Sequence, residues 1–201
     1  MTLLQFNSLP PATIFMVYFV QGSLFLIYLV LGIKILLRNR TRTSLMLSGF
    51  YLCSALGFSL NFIFVVLTDL LLYRILYLGT LYFLFVGSML LSLFTLILHK
   101  TENIFTPKVQ VVLILSYCIM LFIVFFITNI GTDLEATVYT PSFTITLIVI
   151  FSLFTAIPVT VFSLKIYQSF SNPILKRRWR LFMIGTLEQV VSAFGTLIHN
   201  S

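Results

Sequence analysis

The sequence predicts an all-α protein, a polytopic bundle of six transmembrane helices. Three observations carry that reading. Apolar residues make up 60% of the 201 and charged residues only 8%, against roughly a quarter charged in a soluble domain. The mean hydropathy of +1.12 leaves too little polar material to clothe a soluble core. Apolar runs of about 20 residues, the length that crosses bilayer hydrocarbon, recur along the chain.

The spans fall at about 12–37, 44–67, 75–98, 109–128, 144–164 and 181–198. Between them lie short connections: Arg38 to Thr43 is basic, Thr68 to Arg74 is a hairpin, and His99 to Lys108 carries Pro107 ahead of the fourth span. Asn129 to Phe143 holds Gly131, Asp133, Glu135 and Pro141, and Asn172 with Pro173 opens the basic stretch Lys176 to Arg180. No loop is long enough to fold alone, so residues 1–201 form one membrane domain. Met1 to Pro11 has no Lys or Arg, and the apolar run after it is too long for a cleavable leader. The first span is expected to persist in the mature protein.

The formal net charge of +7 would suggest nucleic acid in a soluble protein. Here the cations sit in short loops, which is the mark of a cytoplasmic membrane face. Lys34, Arg38, Arg40 and Arg42 flank the first loop, Lys100 and Lys108 the third, and Lys165, Lys176, Arg177, Arg178 and Arg180 the fifth. Arg74 alone falls on the other side, with Asp69, Asp133 and Glu135. This distribution predicts a cell-membrane protein with its amino terminus outside and loops one, three and five in the cytoplasm. Six spans would leave His199 to Ser201 outside. A seventh span would return the chain to the cytoplasm, and the sequence does not decide between the two arrangements.

Few residues could carry chemistry. Asp and Glu number five in all, and no glycine-rich phosphate loop, helical His/Glu pair or Cys-x-x-Cys occurs. No catalytic residue, metal or cofactor is expected. His99 and His199 fall at span borders. Cys53 and Cys118 lie in apolar runs and read as small buried residues. Asn39-Arg40-Thr41 fits the glycosylation pattern but falls on the predicted cytoplasmic side. In the second span Gly49, Cys53 and Gly57 recur every fourth residue, a line of small side chains that lets another helix approach closely. Packing within the bundle is favoured over a dimer seam.

Polar side chains inside spans are the sharper clues, because an unpaired polar group in lipid costs several kcal/mol. Gln21 and Asn61 lie at similar depth in antiparallel spans and are expected to meet. Gly185, Glu188, Gln189, Ser192, Thr196 and His199 recur at intervals of three or four and form one stripe, expected to face the bundle interior. Glu188 reads equally as a ligand-binding or proton-coupled carboxylate and as a protonated Glu bonded to a neighbouring helix. Pro158 cannot donate to the Phe154 carbonyl and crowds it, so the fifth span should bend there and leave an acceptor unmet. Depth matching then places a protonated Glu188 against Phe154, Thr155 and Pro158, closing a polar pocket with Thr160 and Gln189. The segment Lys176-Arg177-Arg178-Trp179-Arg180 has a membrane-surface explanation, with cations toward anionic lipid heads and the indole at the interface.

An outside amino terminus, short loops, basic inner loops such as Arg38-Asn39-Arg40-Thr41-Arg42, and Lys176-Arg177-Arg178-Trp179-Arg180 ahead of what would be the penultimate span form a recognisable plan. In that architecture the chain resembles the seven-helix amino-terminal membrane regions that precede histidine kinase and other signalling domains in bacteria and archaea. The resemblance implies a sensory bundle with the bilayer, a cytoplasmic signalling partner or a second copy of the chain as partners, and it carries over no residue roles. A small transporter or channel subunit is the competing reading. An enzyme is the least favoured.

Overall fold

The computed structural model describes residues 10–38, 40–67, 69–99, 106–126 and 141–199, with the backbone alone at 64, 70, 126, 192 and 196–199. These residues form six helices: α1 (Pro11–Arg38), α2 (Arg42–Phe64), α3 (Leu70–Leu98), α4 (Pro107–Phe126), α5 (Pro141–Ser169) and α6 (Pro173–His199). No strand occurs among the described residues. The first five helices are long and apolar enough to cross a membrane.

Helix starts explain most departures from the apolar runs. Four helices begin with proline, at Pro11, Pro107, Pro141 and Pro173, where the missing N–H costs nothing and the ring presets φ. Asn172 Oδ1 accepts from the Ile174 N–H at 2.9 Å and Asp69 Oδ1 from the Leu72 N–H at 2.9 Å, both as side-chain caps. Leu70 to Arg74, expected in a hairpin, and Lys176 to Arg180, expected in a loop, are therefore helical. The cap fixes where a helix begins, and polarity marks only where lipid ends.

Successive helices run antiparallel. Ser48 Oγ donates to the Gly32 carbonyl (2.8 Å) between α1 and α2, Phe85 meets Phe125 between α3 and α4, and Phe151 meets Phe194 between α5 and α6. α3 and α5 run parallel, as the pairs Phe85–Phe151 and His99–Phe162 show. The alternation gathers Arg38, Arg40, Arg42, Lys108, Lys165 and Lys176 to Arg180 at one end of the bundle, with Arg74 at the other. Lys100, Asn39, Asp133 and Glu135 lie outside the described residues.

α3 is the spine, enclosed by α2, α4, α5 and α6, with two thirds of its apolar window buried. Its Phe85, Met89 and Leu93 pack with Leu121 and Phe125 of α4 and Leu147 and Phe151 of α5. α1 lies outside, mainly against α2, and turns Phe15, Phe19, Leu26, Val30 and Leu37 outward. Such a surface suits lipid, where burying an apolar side chain gains little and packing shape decides association.

The line of small residues in α2 packs against α3. A Cβ at Gly57 would stand 3.1 Å from Leu84 Cγ and 3.2 Å from the Thr80 carbonyl, and one at Gly87 would stand 3.3 Å from the Phe50 carbonyl and 3.4 Å from Cys53 Cβ. Backbone carbonyls cannot step aside as a side-chain tip can. Gly87→Val should therefore lower unfolding stability in micelles by about 1–3 kcal/mol, the range for overpacking. Gly22→Ala, with nothing within 4 Å of the new methyl, should match or exceed the parent. Equal unfolding curves for the parent and Gly87→Val would overturn the close-approach account.

Candidate functional site

Two wide helical turns shape the interior. In α1 the stretch Phe15–Gln21 is π-helical, and in α5 the stretch Ser152–Ala156 is. The second has a direct cause in Pro158, whose ring crowds the preceding turn and removes a donor. The Ile157 N–H reaches back to the Ser152 carbonyl, and the turn widens instead of breaking. Ser92 Oγ of α3 donates to the Thr155 carbonyl at 3.3 Å. An acceptor beside the wide turn thus finds its donor in α3.

This arrangement corrects the expected pocket. Thr155 is buried, Pro158 and Thr160 are half-buried on α5, and none of the three lines a cavity with Glu188. The Thr155 hydroxyl lies buried beside that of Tyr117, short of hydrogen-bond geometry. Equal depth in the bilayer was the basis of the expectation, and depth does not fix the direction in which a helix face points. The Glu188 face of α6 turns away from α5.

Glu188 and Gln189 instead line a cavity of about 440 Å³ between α1, α2, α3 and α6, floored by Phe151 of α5. Gly185 and Ala193 share that face, so the polar stripe of α6 meets open space and not a packed helix. The side chains of Ser192, Thr196 and His199 lie outside the described residues. Across the cavity Asn61 Nδ2 donates to Gln21 Oε1, joining α2 to the end of the α1 wide turn. The structure thus brings Gln21, Asn61, Glu188 and Gln189 to one chamber, in the half of the bundle opposite the basic end.

Several residues of the chamber were not anticipated. Ser54 of α2, Thr80 and Ser88 of α3, and the rings of Tyr28, Phe58, Tyr77 and Phe85 complete the lining. Gln189 Nε2 donates to Ser88 Oγ at 3.4 Å, whereas Ser54 Oγ is buried with no partner. A signal for the α3 contribution was present, since Thr80, Ser88, Ser92 and Thr95 recur at helical spacing within one span. Hydroxyls in a helix bond their own backbone readily, as Thr80 and Ser88 do to Leu76 and Leu84, so they draw less notice than amides.

At the basic end Trp179 also finds partners within the bundle. Its Nε1 donates to the Ser163 carbonyl of α5 at 2.9 Å, and its ring packs on Phe182 at 4.7 Å and Phe170 at 6.0 Å. Arg177, Arg178 and Arg180 are exposed, while Lys176 Nζ stands 5.0 Å from the Tyr167 ring centre. The helical twist that exposes the arginines turns the indole inward. Among the described residues no three of His, Cys, Asp and Glu come together as metal ligands.

No protein-family model matches the chain, and no curated protein or solved structure is significantly similar to it.

The division of roles between Ser92 and Glu188 is testable by unfolding in micelles. Ser92→Ala should lower stability by about 0.6 kcal/mol, and by no more than about 1.7, the range of hydrogen bonds between membrane helices. Glu188→Leu should leave stability at or above that of the parent. A larger loss from Glu188→Leu than from Ser92→Ala would return the acceptor to Glu188.

Proposed function

We propose that this chain is the membrane portion of a signal receptor, in which the chamber takes up a small molecule and the basic end passes occupancy to a cytoplasmic partner or a second copy of the chain. The observation that carries the proposal is the chamber: a concave site of ligand size, mostly apolar, with a few converging polar groups. A relay is available in the same helix. α6 bears Glu188 and Gln189 at the chamber and Lys176 to Arg180 at the basic end, and Trp179 ties that end to α5. A rigid helix moved at one place moves at the other. The architectural resemblance to seven-helix sensor regions points the same way. The wide turns in α1 and α5 favour a second reading, a small transporter or channel subunit, since interrupted helices often frame transport sites.

Trp179 is the chain's single tryptophan and reports on the relay without a label. In a background of Cys53→Ala and Cys118→Ala, Leu24→Cys places a thiol on the α1 wall of the chamber. Attaching a benzyl thiosulfonate group there should shift or quench Trp179 emission, whereas the same group at Phe19→Cys, on the outer face of α1, should not. Unchanged Trp179 emission with the chamber filled would remove the receptor reading and leave the transporter one, which vectorial uptake into proteoliposomes would then decide.

In this proposal the basic end faces the cytoplasm and the amino terminus lies outside, because Lys and Arg resist translocation. A cysteine at Asn172 should react with an impermeant maleimide only after the cells are permeabilised. Labelling in intact cells would reverse the orientation.

A further inference from the structure

We infer that the chamber is a site for an amphiphilic organic cation, with an ammonium or related head at the Glu188 carboxylate and an apolar body along the aromatic walls. The inference rests on the receptor reading for its location and goes beyond it in ligand class.

Charge is the first argument. Glu188 lines the chamber, and no Lys, Arg or His does. Among the described residues Glu188 has no hydrogen-bond partner, although its neighbours are matched: Gln21 with Asn61, and Gln189 with Ser88. Glu188 is itself exposed, and among the described residues no donor or counter-charge packs against it. The partner is left to the occupant.

The walls supply the second argument. Tyr28 and Phe58, both half-buried, pack at 5.9 Å on the α1 and α2 side and present the rings that an occupant can reach, whereas Phe85 and Phe151 are buried against each other at 5.3 Å and close the α3 and α5 side. The Tyr28 hydroxyl stands within electrostatic range of Glu188. Ring faces attract cations through their quadrupole, and rings combined with a carboxylate recognise quaternary ammonium and alkylated amine heads. An anionic ligand would meet Glu188 with no basic group to offset it, and a neutral apolar ligand would leave the carboxylate unmet.

A matched pair of probes isolates the charge. The first carries a dansyl group, a hexyl chain and a trimethylammonium head. The second has a neopentyl head of the same shape without charge. Fluorescence anisotropy is read with the full chain in phosphatidylglycerol nanodiscs, against empty nanodiscs. The cation should bind at least tenfold more tightly than its isostere. Glu188→Gln should abolish that preference while leaving the isostere's affinity unchanged, which also shows that the variant keeps its fold. Equal affinity of the two probes for the parent, a preference surviving in Glu188→Gln, or binding of neither probe would each overturn the cation assignment. None of these outcomes touches the receptor reading, which stands or falls with Trp179 emission on covalent filling at Leu24→Cys. Repeating the titration with phosphatidylcholine identifies the source: competition by choline lipid assigns the site to a lipid headgroup, and its absence to a free amphiphilic amine.

Discussion

The bundle depends on how closely α2 can lie against α3. At Gly57 and Gly87 each helix presents bare backbone to the other, with main-chain carbonyls of the facing helix 3.2 and 3.3 Å from where a Cβ would stand. Lipid offers no hydrophobic drive for two apolar helices to join, so dispersion across a close contact must supply it. With α2 fixed on one side, α3 offers its remaining faces to α4, α5 and α6. The helix with the most neighbours also supplies Ser92, whose hydroxyl reaches the backbone of α5.

Side-chain donors also reach backbone carbonyls of neighbouring helices. Ser92 serves the Thr155 carbonyl beside the wide turn of α5, Ser48 serves the Gly32 carbonyl of α1, and the Trp179 indole serves Ser163. Each is a donor on one helix meeting a carbonyl on another, which the absence of water in hydrocarbon makes worthwhile. The chamber is the exception to this thrift. There the amides pair with their neighbours and leave the Glu188 carboxyl facing open space.

Much of the architecture was legible in the sequence because the length of an apolar run measures hydrocarbon thickness directly. All six helices lie where the runs lie, and the spacing of Gly49, Cys53 and Gly57 marked a face that packs inside the bundle. Gln21 and Asn61 were legible as a pair because both are amides at one depth in adjacent spans. Depth failed for Glu188 and Pro158, since it gives one coordinate and says nothing of rotation about the helix axis. A one-residue wide turn rotates everything beyond it by most of a right angle, and nothing in the residues Phe15 to Gln21 announces one. The contacts of Trp179 with α5 were hidden for a related reason, since they follow from its place in the helical turn and not from composition. The aromatic walls were hidden by abundance, because 22 phenylalanines and nine tyrosines leave no ring conspicuous.

The peripheral position of α1 bears on how the molecule is assembled. Synthesis delivers α1 first, and it meets a durable neighbour only when α2 arrives, at which point Gln21 and Asn61 complete each other. Later helices then settle onto α3. The chamber needs a wall from α6 as well as from α1, the first and last helices described, so it comes into being only when the set is complete. A ligand of the chamber would therefore bind the assembled helices and not a partly inserted chain, and by mass action would draw the chain toward the assembled state.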